Sequence, residues 1–388
     1  MNTSQRAIIN LLKSAITGEV LSLPGDFDLE AAYPELRAHQ MESLLYEGAV
    51  RCGVNRQLPI MQQLFRGYCA VLLKSEGQLR ALSRITAAFE EHGIDHMLLK
   101  GSKMKALYPK AELRHMSDAD VLIRMEQYDQ IIPVMESLGF RQKSETDHEL
   151  VWVADGLYLE LHKRLIPSYN KDFYAYFGDG WKLALPTKGH SYTMAPEDEF
   201  IYLFTHYAKH FRDGGIGCRH VVDLWVYLRA NPAMDLERIR EELKELYLLK
   251  FFENTLALLD AWFGSREVDD KIRCMTDYIF ASGSYGKMDK KALSAAIRES
   301  DSTKATDGKL HYVLSQAFPN VKMLEGKYTV LKKAPWMLPA VWVYRPFYKL
   351  LRERDDVLKH KKKLESITTE GMTEHKKLLN YMGLDYHF

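Results

Sequence analysis

Between Ile94 and about Lys163 the hydrophobic period of the chain changes, and an all-helical fold cannot absorb that stretch. The runs DHMLLKG, DADVLIR, GFRQK, ELVWVA and LYLELHKR are short and have strand-like composition. Segments with helical character, SKMKALY and QYDQIIPVMESL, separate some of them. On either side the spacing is helical. It runs from Gln5 to about Gly48, then from Leu58 to Gly93 with Phe65, Tyr68, Cys69, Leu72 and Leu73 on one stripe, and again beyond Pro196. The expected fold is therefore α+β, a small mixed β-sheet core with flanking helices and a largely helical C-terminal domain.

A chain of 388 residues is longer than one hydrophobic core usually organises. The pattern suggests an N-terminal helical region at 1–78, an α+β core at 79–195, a helical domain at 196–330 and a C-terminal helical tail at 331–388. A formal charge of +1 argues against broad nucleic-acid binding, which draws on a large excess of Lys and Arg. Cys52, Cys69, Cys218 and Cys274 are scattered and contain no CxxC pair, so reduced thiols are expected. The first residues do not resemble a signal peptide, and the apolar stretch Pro335 to Val343 is too short to span a bilayer. A soluble, cytoplasmic protein is the expectation.

The chemistry is expected in the α+β stretch. After the apolar strand Met97-Leu98-Leu99 come Lys100, Gly101 and Ser102, a short helix ending near Tyr108, a polar loop, and then Asp118-Ala119-Asp120 entering a second strand. Alternate strand residues share a face, so Asp118 and Asp120 point together and call for a cation, with Mg²⁺ (or Mn²⁺) the natural partner of oxygen ligands. In Leu157 to His162 the leucines take one face, and Tyr158, Glu160 and His162 the other. Beside the aspartates, Glu160 would complete a three-carboxylate site able to hold two metals for in-line phosphoryl transfer. Gly101 allows close backbone approach to a phosphate, Ser102 offers a hydroxyl, and Lys100, Lys103 and Arg114 supply positive charge. The bland alternatives are a solvated Asp-rich turn ahead of a strand, a charged residue on an exposed sheet face for Glu160, and ordinary surface bases.

The order LLKGSKMKALYP, RHMSDADVLI and LYLELHKRL, followed by THYAKHFRDGGIGCRHVVDLWVYL, resembles the bacterial uncharacterised nucleotidyltransferases of the polymerase-beta-like superfamily over roughly residues 80 to 290. The resemblance implies transfer of a nucleoside monophosphate from a nucleoside triphosphate to an acceptor hydroxyl, with release of pyrophosphate. It implies Gly101 and Ser102 as the phosphate-binding pair, Asp118 and Asp120 as metal ligands and Glu160 as the third acid. The acceptor stays open. Two competing readings are a catalytically silent nucleotide- or partner-binding module on the same fold and an enzyme that nucleotidylates a protein side chain.

Other features are weighed separately. The helix from Glu197 to Phe211 has an apolar stripe of Phe200, Leu203, Phe204, Tyr207 and Phe211, with His206, Lys209 and His210 on the other side. Asp223, set among apolar residues, needs a partner, and Arg219 four residues earlier is available. Gly283 to Lys287 fails the P-loop pattern and reads as a helix-ending turn. Aromatic residues from Trp336 to Tyr348 run into the bases between Arg345 and Lys363, which fits either a packed terminal helix with a solvated face or peripheral contact with a membrane.

Overall fold

The structure is a computed structural model and describes residues 1–154, 157–168, 170–284, 286–303, 314, 317–324, 328–352 and 367–385. The chain divides into two compact units, Met1–Ala208 with Ile216–Tyr285 and Lys209–Gly215 with Gly286–Phe388.

The first unit begins with helices α1 (Thr3–Thr17), α2 (Leu29–Arg37), α3 (Glu42–Arg51) and α4 (Pro59–Glu91). A reciprocal cap starts α1: Asn2 accepts from the Gln5 amide and Gln5 accepts from the Asn2 amide, which satisfies two N–H groups that the first turn leaves free. α1 crosses α3 so closely that a side chain at Gly48 would lie 2.1 Å from the Leu11 carbonyl oxygen. Pro59 starts α4, which then runs unbroken for 33 residues.

Each of the five strand-like runs forms a strand: β1 (His96–Leu99), β2 (Ala119–Ile123), β3 (Arg141–Glu145), β4 (Glu149–Ala154) and β5 (Leu157–His162). Helix α5 (Lys100–Met104) follows β1 directly, and α6 (Tyr128–Ser137) links β2 to β3. After α7 (Lys171–Phe177), β6 (Leu185–Pro186) and β7 (Ser191–Thr193) extend the sheet. The seven strands lie in the order β3-β4-β5-β2-β1-β7-β6. The sheet is mixed, because β2 runs parallel to β5 and antiparallel to β1.

Alternation gives the sheet two unlike faces. Ala119, Val121, Ile123, Leu150, Trp152, Leu159 and Leu161 turn one way and bury against Leu82, Ile85 and Phe89 of α4 and Ile131, Val134 and Met135 of α6. Their intervening neighbours form the other face. Helices α8 (Pro196–Gly214), α9 (Cys218–Ala230), α10 (Leu236–Glu245), α11 (Leu249–Phe263) and α12 (Asp270–Phe280) make the later half mostly helical, as expected. On α8, Phe200, Phe204, Tyr207 and Phe211 are buried, and so are Ile201 and Tyr202. Past α12 the chain turns at Gly283, whose φ of +68° suits a glycine, and Tyr285 lies outside the described residues.

In the second unit, α13 (Met288–Thr303) packs Ala292 and Ala296 on Ile367 and Met372. A separate cluster joins Leu324, Leu331 and Val341 under Trp342. The helix Leu338–Arg352 continues through Pro346, a residue with no N–H to give to the helical ladder. Trp342 donates its indole N–H to the Pro319 carbonyl, whereas Trp336, Val343 and Tyr344 are exposed. Of the bases between Arg345 and Lys363 that suggest peripheral membrane contact, those from Arg354 onward lie outside the described residues. Among the described residues no helix is long and apolar enough to cross a membrane.

Candidate active site

β2 and β5 pair in parallel with Asp120 opposite Glu160 and Leu122 opposite His162. Paired residues on neighbouring strands project from the same side of a sheet, so Asp120, Glu160 and His162 share the face away from the apolar core. One ligand atom from each lies within 4.8 Å of the others, a group of metal-ligating type among the described residues. Glu160 and the aspartate are thus adjacent, as the alternation of LYLELH against DADVLI suggested.

Asp118 stands in the bend just before β2 rather than within the strand. Burial and the charges of Asp120 and Glu160 push its carboxyl up to about 6. Asp120 goes the other way. Burial raises its pKa, but Lys100 and His162 outweigh that and hold it well below the usual carboxylate range. Its Oδ1 lies 2.9 Å from Lys100 Nζ and 2.9 Å from His162 Nε2. His162 Nε2 also lies 3.5 Å from Glu160 Oε2. Burial and the Lys100 charge press His162 towards neutrality, yet the hydrogen bonds to Asp120 and Glu160 prevail and raise its pKa. The buried Tyr202 of α8 lies beside the same group, close enough to feel Lys100, Asp120 and Glu160.

The loop leading into Asp118 is fastened from several directions. Arg114 places Nη2 2.9 Å from Asp223 Oδ2 and Nε 3.3 Å from Asp223 Oδ1, and Tyr108 donates its hydroxyl to Asp223. Burial raises the Asp223 carboxyl, but Arg114 more than offsets it and the pKa falls. Arg219 donates to the His115 carbonyl, and Gln78 from α4 donates to the Met116 carbonyl. Among these groups His115 is pushed down to about 3 by burial and by the charges of Arg219, Lys74, Arg114 and Lys105.

The residues suggested for a nucleotide occupy different surroundings. Lys100 is ion-paired with Asp120, Arg114 is ion-paired with Asp223, and Lys103 reaches Glu199 and Thr193. Gly101 gives its close approach to protein, since a Cβ there would meet Arg114 Nη1 at 2.5 Å and Met116 at 3.1 Å. Ser102 holds a buried hydroxyl that has no hydrogen-bond partner among the described residues. Sequence reasoning gave no site role to His162, although it follows Glu160 by one alternation. It passed over Tyr202 because a tyrosine between Ile201 and Leu203 on a helix carries no distinguishing spacing.

Asp120, Glu160 and His162 bring two carboxylates and an imidazole together, with the Lys100 ammonium on Asp120 and Asp118 in the bend before β2. Such a group can hold a divalent cation and accept a proton from a hydroxyl. The profile of a family described as “Uncharacterised nucleotidyltransferase” matches residues 25–264, more than half of the chain. Among solved structures, the solution structure of the antibiotic-resistance factor ANT(2'')-Ia is similar over 48% of this chain and 96% of that chain, at 15% identity and a TM-score of 0.33. No curated protein matches the chain.

Proposed function

The chain belongs to the uncharacterised nucleotidyltransferase family, and we propose that it transfers a nucleoside monophosphate from a nucleoside triphosphate to an acceptor hydroxyl. The observation that carries this reading is the placement of Asp120 beside Glu160 on adjacent parallel strands, with Asp118 at the entry to the first.

The donor set fits a hard divalent cation. Carboxylate oxygens of Asp120 and Glu160 make up most of it, and the Asp118 carboxyl, raised by burial and then by the charges of Asp120 and Glu160, stands just ahead of them in the chain. Mg²⁺, or Mn²⁺, held by Asp118, Asp120 and Glu160 would supply neutralisation of the triphosphate and of the charge that develops in transfer. The half-buried Glu160 accepts the acceptor's proton as the hydroxyl oxygen bonds to the α-phosphorus. The bond from that phosphorus to the bridging oxygen breaks, and pyrophosphate leaves with the electron pair. Ser102 donates its otherwise unpartnered hydroxyl to a phosphate oxygen. Arg114 and Asp223 hold the loop that carries Asp118.

The test is a screen of the four nucleoside triphosphates for Mg²⁺-dependent stabilisation and, with candidate acceptors, for pyrophosphate release, run on the natural chain and on Asp120→Asn. The variant should keep its fold and lose transfer by at least about 10²-fold. Undiminished turnover in a folded Asp120→Asn chain would remove the assignment.

A further inference from the structure

We propose that Lys100 is the resident cation of this cluster, its ammonium filling the place of a second divalent ion, so that the site takes up one divalent ion per chain. The proposal rests on the nucleotidyl-transfer reading and specifies how that site balances its charge.

Lys100 sits where β1 gives way to α5. Leu99 is paired with Asp120 across β1 and β2, and paired residues project from the same face. The next residue, Lys100, leaves the strand and opens α5. Its φ is +41°, in the left-handed region that L-residues rarely adopt. Its side chain reaches the aspartate, with Nζ 2.9 Å from Asp120 Oδ1. Local strain is thus tied to one ion pair, with its lysine side chain 15% and its aspartate side chain 7% exposed. Glu160 and Tyr202 complete the ammonium's surroundings.

The consequence for metal binding follows from the lone pairs of Asp120. A carboxylate that bridges two ions gives one oxygen to each. Oδ1 already receives Lys100 and His162, both at 2.9 Å, which leaves Oδ2 for one ion.

Counting Mn²⁺ bound to the full chain, from the electron paramagnetic resonance signal of the free ion and normalised to the folded fraction, tests this without any turnover. The natural chain and Lys100→Arg should saturate at one Mn²⁺, and Lys100→Met, which removes the charge but keeps the length, at two. Asp120→Asn should lose the site. Two ions on the natural chain, or one on a folded Lys100→Met chain, would overturn the resident-cation role while leaving nucleotidyl transfer standing. No bound Mn²⁺ on the natural chain would remove both.

Discussion

Arg114 fills the space that a side chain on Gly101 would need, with Nη1 only 2.5 Å from the position of that missing Cβ. A flexible arginine tip could normally step aside, but this guanidinium is buried and held at two points on Asp223. Gly101→Ala is therefore expected to destabilise the chain by about 1–3 kcal/mol through overpacking. Because the clash is with Arg114, adding Arg114→Ala should cost less than the two single changes summed. Urea unfolding of the four chains measures the coupling, and additivity to within about 0.5 kcal/mol would show that the two residues do not meet in this way.

Asp118 is a residue whose fold would be better off without its charge. Its folded-state pKa of about 6 lies above the ordinary value of 3.8, so between those pH values the folded chain binds more protons than the unfolded one. Stability must then fall as pH rises through that window. Asp118→Asn should match the natural chain near pH 4 and exceed it at pH 7 by on the order of 1–3 kcal/mol in EDTA. Thermal unfolding at both pH values checks this. An Asn chain less stable at pH 7 would mean that the carboxylate has partners that outweigh the repulsion.

Lys105 should produce a pH dependence at the alkaline end. Its ammonium is buried, donates to Ser75 Oγ and the Ala111 carbonyl, and is brought down to about 8 by burial and by Arg114 and Lys74. From about pH 8 to the ordinary value of 10.5 the unfolded chain holds the proton more tightly, so stability rises with pH over that range. Relative to Lys105→Met, the natural chain should gain on the order of 2–3 kcal/mol across the window. Urea midpoints that run parallel for the two chains between pH 8 and 10 would exclude a strained lysine.

What could be read from the sequence was whatever obeys a local period. The alternation in DADVLI and LYLELH separates carboxylates from core residues, and β2 and β5 do lie side by side with Asp120 against Glu160. The strands β6 and β7, two and three residues long, are too short to display a period at all. Asp223 shows the limit most clearly. Helical spacing offered Arg219 as its partner, but the ion pair is made by Arg114, 109 residues away in sequence, and no local pattern encodes that meeting. Lys100 reads in the sequence as a base for a triphosphate, whereas in the structure it opens α5 with a left-handed φ and its ammonium is committed to Asp120, a pairing that no local spacing encodes. Tyr202 reaches the site only through the packing of α8, which periodicity describes as an amphipathic helix and nothing more.

The two faces of the sheet also limit how this gene can vary. Removing one codon within Ala119–Ile123 would shift each later residue of β2 to the opposite side, sending apolar residues towards Glu160 and exchanging the strand's contribution to the core. Insertions and deletions in that strand cannot trade a little catalysis for a little stability, as point substitutions can, because both properties are written in the same alternating letters. Length polymorphism among functional copies should therefore collect in the connections and spare β2 and β5.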